Sequence, residues 1–211
     1  MAPLNHVYDQ FILFGDSLTQ MSSAQSDGFG YHPALQDAYS RKLDVINRGF
    51  SGYTSAMALK VLPKLFPGPE TVTVRFFAVC LGCNDAVMPG MYQHVPLETY
   101  KGNLRQIIQH PVVKAQNQRI LLLTPPPVNQ YQLEAFDASE GASHPSRTAA
   151  RTREYAEAVI ELGKELRVPV IDLWSAFMRS VGWEDGQPLV GSRDVPNNEA
   201  FDGLFTDGTY S

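Results

Sequence analysis

Phe11-Ile12-Leu13-Phe14-Gly15-Asp16-Ser17-Leu18-Thr19 is the stretch that decides the fold. Its apolar half, rich in Phe and Ile, suits a buried strand. Gly15 permits a tight turn, and Asp16 and Ser17 are favoured residues for starting a helix. A serine hydroxyl is thereby placed at the carboxyl end of a strand, beside backbone N–H groups. Open α/β sheets keep ligands at that edge, and free N–H groups there hold a developing oxyanion. Alone, Gly-Asp-Ser is equally the mark of a plain capped turn, so its meaning rests on what else reaches the same edge.

Working outward, the pattern predicts strands over 10–14, 43–47, 72–79, 120–124 and 168–171. The third, Val-Thr-Val-Arg-Phe-Phe-Ala-Val, is β-branched and aromatic almost throughout. Between the strands lie predicted helices at 29–42, 54–66, 97–108, 147–167 and 173–181. Leu97, Tyr100, Leu104, Ile107 and Ile108 carry the apolar stripe of an amphipathic helix. The triple proline 125–127 ends the fourth strand, because proline cannot donate to a ladder. Residues 128–145 read as a long loop, and 182–205 as loop-like. Strands alternating with helices predict a parallel sheet covered on both faces. With no repeat and no linker, residues 1–211 read as a single three-layer α/β/α domain.

A chain of 211 residues with 44% hydrophobic and 18% charged residues is ordinary globular composition. Lys+Arg 17 against Asp+Glu 22 gives net −5 without a basic cluster, which argues against nucleic acid. No apolar run approaches the ~20 residues that span a bilayer. The first ten residues lack a basic patch before an apolar block, so no signal peptide is read and a cytoplasmic location is expected. Cys80 and Cys83 form a C-x-x-C. A redox pair is one reading; the other is two small residues, one closing a buried strand. Two cysteines alone make a poor zinc site.

Chemistry-bearing residues follow the first three strands: Ser17, Gly52 and Asn84. In a parallel sheet these positions share one edge, and Asp207 in the tail can return to it. A nucleophile, a backbone donor, a carboxamide donor and an acid are the parts acyl transfer needs.

At this point the chain resembles the GDSL, or SGNH, hydrolase superfamily, and within it the isoamyl acetate-hydrolysing esterase group. Gly15-Asp16-Ser17-Leu18 is similar to the nucleophile block, 47–53 to the glycine block and Gly82-Cys83-Asn84-Asp85 to the asparagine block. Segments 93–97 and 123–128 resemble that subgroup. The resemblance implies a flavodoxin-like fold, with about five parallel strands ordered 2-1-3-4-5. It implies Ser17 as nucleophile, and an oxyanion hole from Ser17 N–H, Gly52 N–H and the Asn84 side chain. It also implies a small-molecule ester substrate with a small acyl or acetyl group, and no metal or organic cofactor.

The family's last block reads Asp-x-x-His, the Asp orienting the His base. Here Asp207 is present, Tyr210 takes the histidine position, and the family's usual C-terminal helix is expected to be absent. A tyrosine with pKa near ~10 is a poor base at neutral pH. In subtilisin, losing the histidine costs ~10⁶ in rate, while the oxyanion hole and binding leave ~10³–10⁴ over water. The sequence thus leaves two expectations, a slow serine esterase and a catalytically inactive relative that binds an acyl ligand or a protein partner. His94 and His144, in loops on the active edge, are candidate substitute bases, with His32 near it. His6 and His110 belong to the opposite edge. Without the last helix, some apolar sheet residues are expected to be exposed, and 191–211 to be poorly held.

Overall fold

The computed structural model describes residues 8–26 and 28–205. Five parallel strands run β1 (Gln10–Gly15), β2 (Asp44–Gly49), β3 (Val74–Cys80), β4 (Arg119–Leu123) and β5 (Val170–Ile171), in the order β2-β1-β3-β4-β5. The expected order 2-1-3-4-5 is therefore observed. Register is what builds the site: Gly15 pairs with both Gly49 and Cys80, Cys80 with Leu123, and Leu123 with Ile171. All five strands end on one line, so the loops that follow them leave from a common edge.

Alternation along β1 sorts its side chains to two faces, as a period of two demands. Ile12 and Phe14 join the large core with Phe77, Val79 and Leu122. On that face lie α3 (Ser55–Leu65), α4 (Leu97–Gln109) and α7 (Ala149–Leu166), which supply Leu62, Tyr100, Leu104, Ile107, Tyr155 and Leu162. Phe11, Leu13, Val45 and Ala78 face the other way, against Tyr31 and Leu35 of α2 (Tyr31–Ala38). Each buried side chain of this size stabilises by about 1.5–3 kcal/mol. Short helices α1 (Ser17–Met21) and α5 (Pro111–Lys114) complete this part of the chain.

The structure corrects two expectations. Residues 128–145 are not a plain loop: they contain α6 (Gln130–Ser139). Its start is capped by Asn129, whose side chain accepts from Tyr131 N at 3.0 Å. The described part of the tail, 191–205, is also held rather than loose. Trp183, Phe201 and Phe205 are buried with Trp174 and Met178 of α8 (Leu173–Ser180). A last turn, α9 (Glu199–Asp202), carries Phe201, which is fully buried. These aromatic anchors fall at irregular spacing, which leaves no periodicity to read. Among described strand residues, the one exposed large apolar side chain is Ile171 on the edge strand β5.

Candidate active site

Three turns converge on the common edge. The first follows β1, where a Cβ at Gly15 would overlap the Thr19 side chain and the Cys80 carbonyl. Only glycine lets the chain turn this close to β3. Asp16 caps α1 by accepting from Leu18 N at 3.1 Å. Ser17 is then the first residue of α1, where a backbone N–H has no intrahelical partner.

The second turn is stitched to the first. Asn47 donates to the Thr19 carbonyl at 2.7 Å and accepts from Gly49 N at 2.8 Å. Phe50 N donates to the Gly15 carbonyl at 2.9 Å, and Ser51 N to Gln20 Oε1 at 2.8 Å. At Gly49 a Cβ would run into the backbone of Gln20. Gly52 sits at φ +77°, and its carbonyl accepts from Gln93 Nε2 at 2.7 Å. Its own N–H makes no hydrogen bond among the described residues.

The third turn carries Asn84. Its Nδ2 donates to the Tyr53 carbonyl at 2.9 Å, and its Oδ1 accepts from Arg147 Nη2 at 3.3 Å. Arg147 Nε also donates to the Cys83 carbonyl at 2.6 Å. The neighbouring Asp85 takes both the backbone N–H and the hydroxyl of Ser55, and Asn103 donates to the same hydroxyl at 2.9 Å.

Ser17 and Asn84 line one cavity of about 190 Å³ together with Leu18, Cys83 and Arg147. Its apolar wall is Pro126 and Val128 after β4, then Leu133 and Phe136 from α6. Sequence reasoning missed α6 and Arg147. The signal for α6 was a capping asparagine, Asn129, two residues past the last proline; nothing in the pattern marked Arg147.

Two buried carboxylates, Asp16 before Ser17 and Asp85 after Asn84, are held above their ordinary range. Burial pushes Asp16 to about 7, with the Asp85 charge adding and the Leu18 N–H and Arg147 opposing. Burial likewise pushes Asp85 to about 6 against its bonds from Ser55. Asp16 Oδ2 is buried without a hydrogen-bond partner. Burial also raises both thiols, Cys80 and Cys83, and both are free. A thiol that resists ionisation is a poor redox nucleophile.

The candidate bases are engaged elsewhere. His94 Nδ1 lies 3.0 Å from the Val87 carbonyl. His32 bridges Ser23 Oγ at 2.9 Å and the Val45 carbonyl at 3.1 Å. His144 is exposed, and none of the three lines the cavity. Gly52 is not among the lining residues either, although the Asn84–Tyr53 bond ties the asparagine to the residue beside it. Asp207 and Tyr210 lie outside the described residues.

The profile of the GDSL-like Lipase/Acylhydrolase family matches residues 13–189. The chain belongs to this family. A GDSL esterase/lipase of Arabidopsis thaliana, At5g62930, is 38% identical over 186 residues, covering 83% of this chain and 74% of that protein. The isoamyl acetate-hydrolyzing esterase 1 homolog of Mus musculus is 35% identical over 182 residues, covering 82% and 70%. Among solved structures, a lipase/acylhydrolase from Enterococcus faecalis superposes with TM-score 0.65 at 21% identity, over 96% of this chain and 86% of that one. That last likeness concerns the GDSL fold alone. No helix among the described residues of this GDSL chain is long and apolar enough to cross a membrane.

Proposed function

We propose that this GDSL-family chain is a serine ester hydrolase for small acyl or acetyl esters, acting through an acyl-enzyme on Ser17. One observation carries the reading: Ser17 and Asn84 line the same cavity while three donors on the turns at this edge of the sheet keep a hydrogen unspent. They are Ser17 N–H at the start of α1, Gly52 N–H, and the second Nδ2 hydrogen of Asn84. Ser17 Oγ attacks the ester carbonyl, the three donors hold the oxyanion, the alcohol leaves, and water then frees the acid. A cavity of about 190 Å³ with a short apolar wall suits a small acyl group. The name of the mouse relative, an isoamyl acetate-hydrolyzing esterase homolog, agrees with that substrate class.

Asp207 is the acid by family pattern, with Tyr210 where the pattern has the base. With His32 and His94 bonded elsewhere, Ser17 is acylated slowly, within the residual ~10³–10⁴ over water that an oxyanion hole and binding supply. The test is p-nitrophenyl acetate hydrolysis with Ser17→Ala beside it. Slow, Ser17-dependent release that added imidazole accelerates is the expected result; turnover indifferent to Ser17 overturns the reading.

A second reading is favoured by the same histidine bonds: a GDSL-fold binder that holds an acyl ligand without turning it over. Robust Ser17-dependent turnover without added imidazole rules that out.

A further inference from the structure

Asn84 has two possible amide orientations, related by exchange of its oxygen and nitrogen. Only one of them is a donor toward a neighbouring oxyanion. Two partners decide between them. The Tyr53 carbonyl can only accept, so the atom facing it is Nδ2; a guanidinium can only donate, so the atom facing Arg147 is Oδ1. Arg147 adds a bond to the carbonyl of Cys83, the residue before Asn84.

The anchor behind Arg147 is rigid. Its neighbour Thr148 caps α7, an 18-residue helix, by accepting from Arg151 N at 3.2 Å. One turn on, Arg151 Nε donates to the Ala86 carbonyl at 3.1 Å. Met88 N donates back to the Ser146 carbonyl at 2.9 Å. Segment 146–151 is thereby bolted along segment 83–88. Arg147 also has no ion-pair partner among the described residues, so its fork serves neutral acceptors.

We propose that Arg147 is the positioning residue of the oxyanion hole: it fixes the Asn84 carboxamide with Nδ2 available to the carbonyl oxygen of the ester. The inference rests on the hydrolase reading for its kinetic consequence, but the amide orientation itself does not. In Arg147→Gln the carboxamide loses its charged donor and the Cys83 carbonyl loses its fork. Arg147→Lys keeps the charge without the planar fork.

The experiment measures Ser17-dependent p-nitrophenyl acetate acylation in the full chain and in Arg147→Gln, Arg147→Lys, Asn84→Ala and Arg147→Gln/Asn84→Ala. Losing an oxyanion donor outright costs about 10²–10³ in rate. Arg147→Gln is expected to lose about tenfold or more in rate with KM within about threefold, and Arg147→Lys to recover part. In the Asn84→Ala background the Arg147→Gln change is expected to cost less than about threefold, because residues that act together are non-additive. A full, additive loss in that background overturns the proposal, as does a loss confined to KM. The second readout needs no activity. The Asn84 side-chain NH₂ signals, assigned by their disappearance in Asn84→Ala, are expected to shift and broaden in ¹⁵N-labelled Arg147→Gln that melts as the parent does. Unchanged signals overturn the proposal even if the parent proves inert, whereas an inert parent with shifted signals overturns only the hydrolase reading.

Discussion

Asn84 and Tyr53, 31 residues apart, are joined by the Asn84 Nδ2 bond to the Tyr53 carbonyl at 2.9 Å. This contact closes the edge of the sheet above β1 by linking the turn after β2 to the turn after β3. On the hydrolase reading proposed above, this bond would hold the Asn84 carboxamide in place before any ester arrives, which is the condition under which an oxyanion donor lowers a barrier most.

Asn84→Ala is accordingly expected to lower Ser17 acylation by about 10²–10³ with little change in KM. Single-turnover kinetics with p-nitrophenyl acetate checks this. An unchanged rate would place the oxyanion elsewhere.

Gly49→Ala tests the stitching of the second turn. The new Cβ meets Gln20 backbone rather than a flexible side chain, so the neighbour cannot swing away. Overpacking of this kind costs about 1–3 kcal/mol. Urea denaturation should show that loss, together with slower acylation because α1 carries Ser17.

Asp16 gives stability a pH dependence of defined sign. Its folded pKa is about 7 against 3.8 for the ordinary carboxyl. An acid with a raised folded pKa is more easily ionised in the unfolded chain, so the Asp16 contribution to stability is fullest below about pH 4 and is lost as pH rises to about 7. For this fully buried group the total is on the order of 4 kcal/mol. Asp85, near 6, adds a fall of the same sign. Asp16→Asn removes the first contribution. Its unfolding free energy relative to the parent is expected to improve from about pH 4 to about pH 7 and level off above that, as read from denaturant midpoints; a constant difference would show that Asp16 ionises normally.

If the cavity takes the acyl chain as proposed, Leu133 limits its length. Leu133→Ala should raise kcat/KM for a hexanoate ester over an acetate ester by about tenfold, since one methylene in an apolar pocket is worth about 1–3 kcal/mol. A parallel series of p-nitrophenyl esters measures the ratio.

The sheet was legible because β1, β3 and β4 are short apolar runs closed within two residues by glycine or proline, and the motif serine, glycine and asparagine each follow a strand. Their shared edge was implied by parallel topology alone. The pocket wall was not legible, because α6 is weakly amphipathic, with Leu133 buried but Phe136 43% exposed. The tail was misread for a related reason. Trp183, Phe201 and Phe205 hold it through ring contacts, Phe201 to Phe205 at 4.8 Å and Trp174 to Trp183 at 5.2 Å. Such anchors act through three-dimensional neighbours rather than through any period along the chain. Arg147 was invisible because an isolated arginine before a helix reads as solvated charge until the loop it grips is in view.

The tail also touches the pocket wall from behind. Gln130 N donates to the Gly191 carbonyl at 2.8 Å, Asn129 to Asp202 Oδ1 at 2.6 Å, and Gln132 to the Asp202 carbonyl at 3.1 Å. Leu133, the next residue, faces the cavity. The apolar cavity wall and the last aromatic anchors are therefore expected to open as one unit. Amide exchange in α6 and α9 should proceed at a matched rate, and any event that pries Phe201 loose should first loosen the apolar side of the cavity beside Ser17.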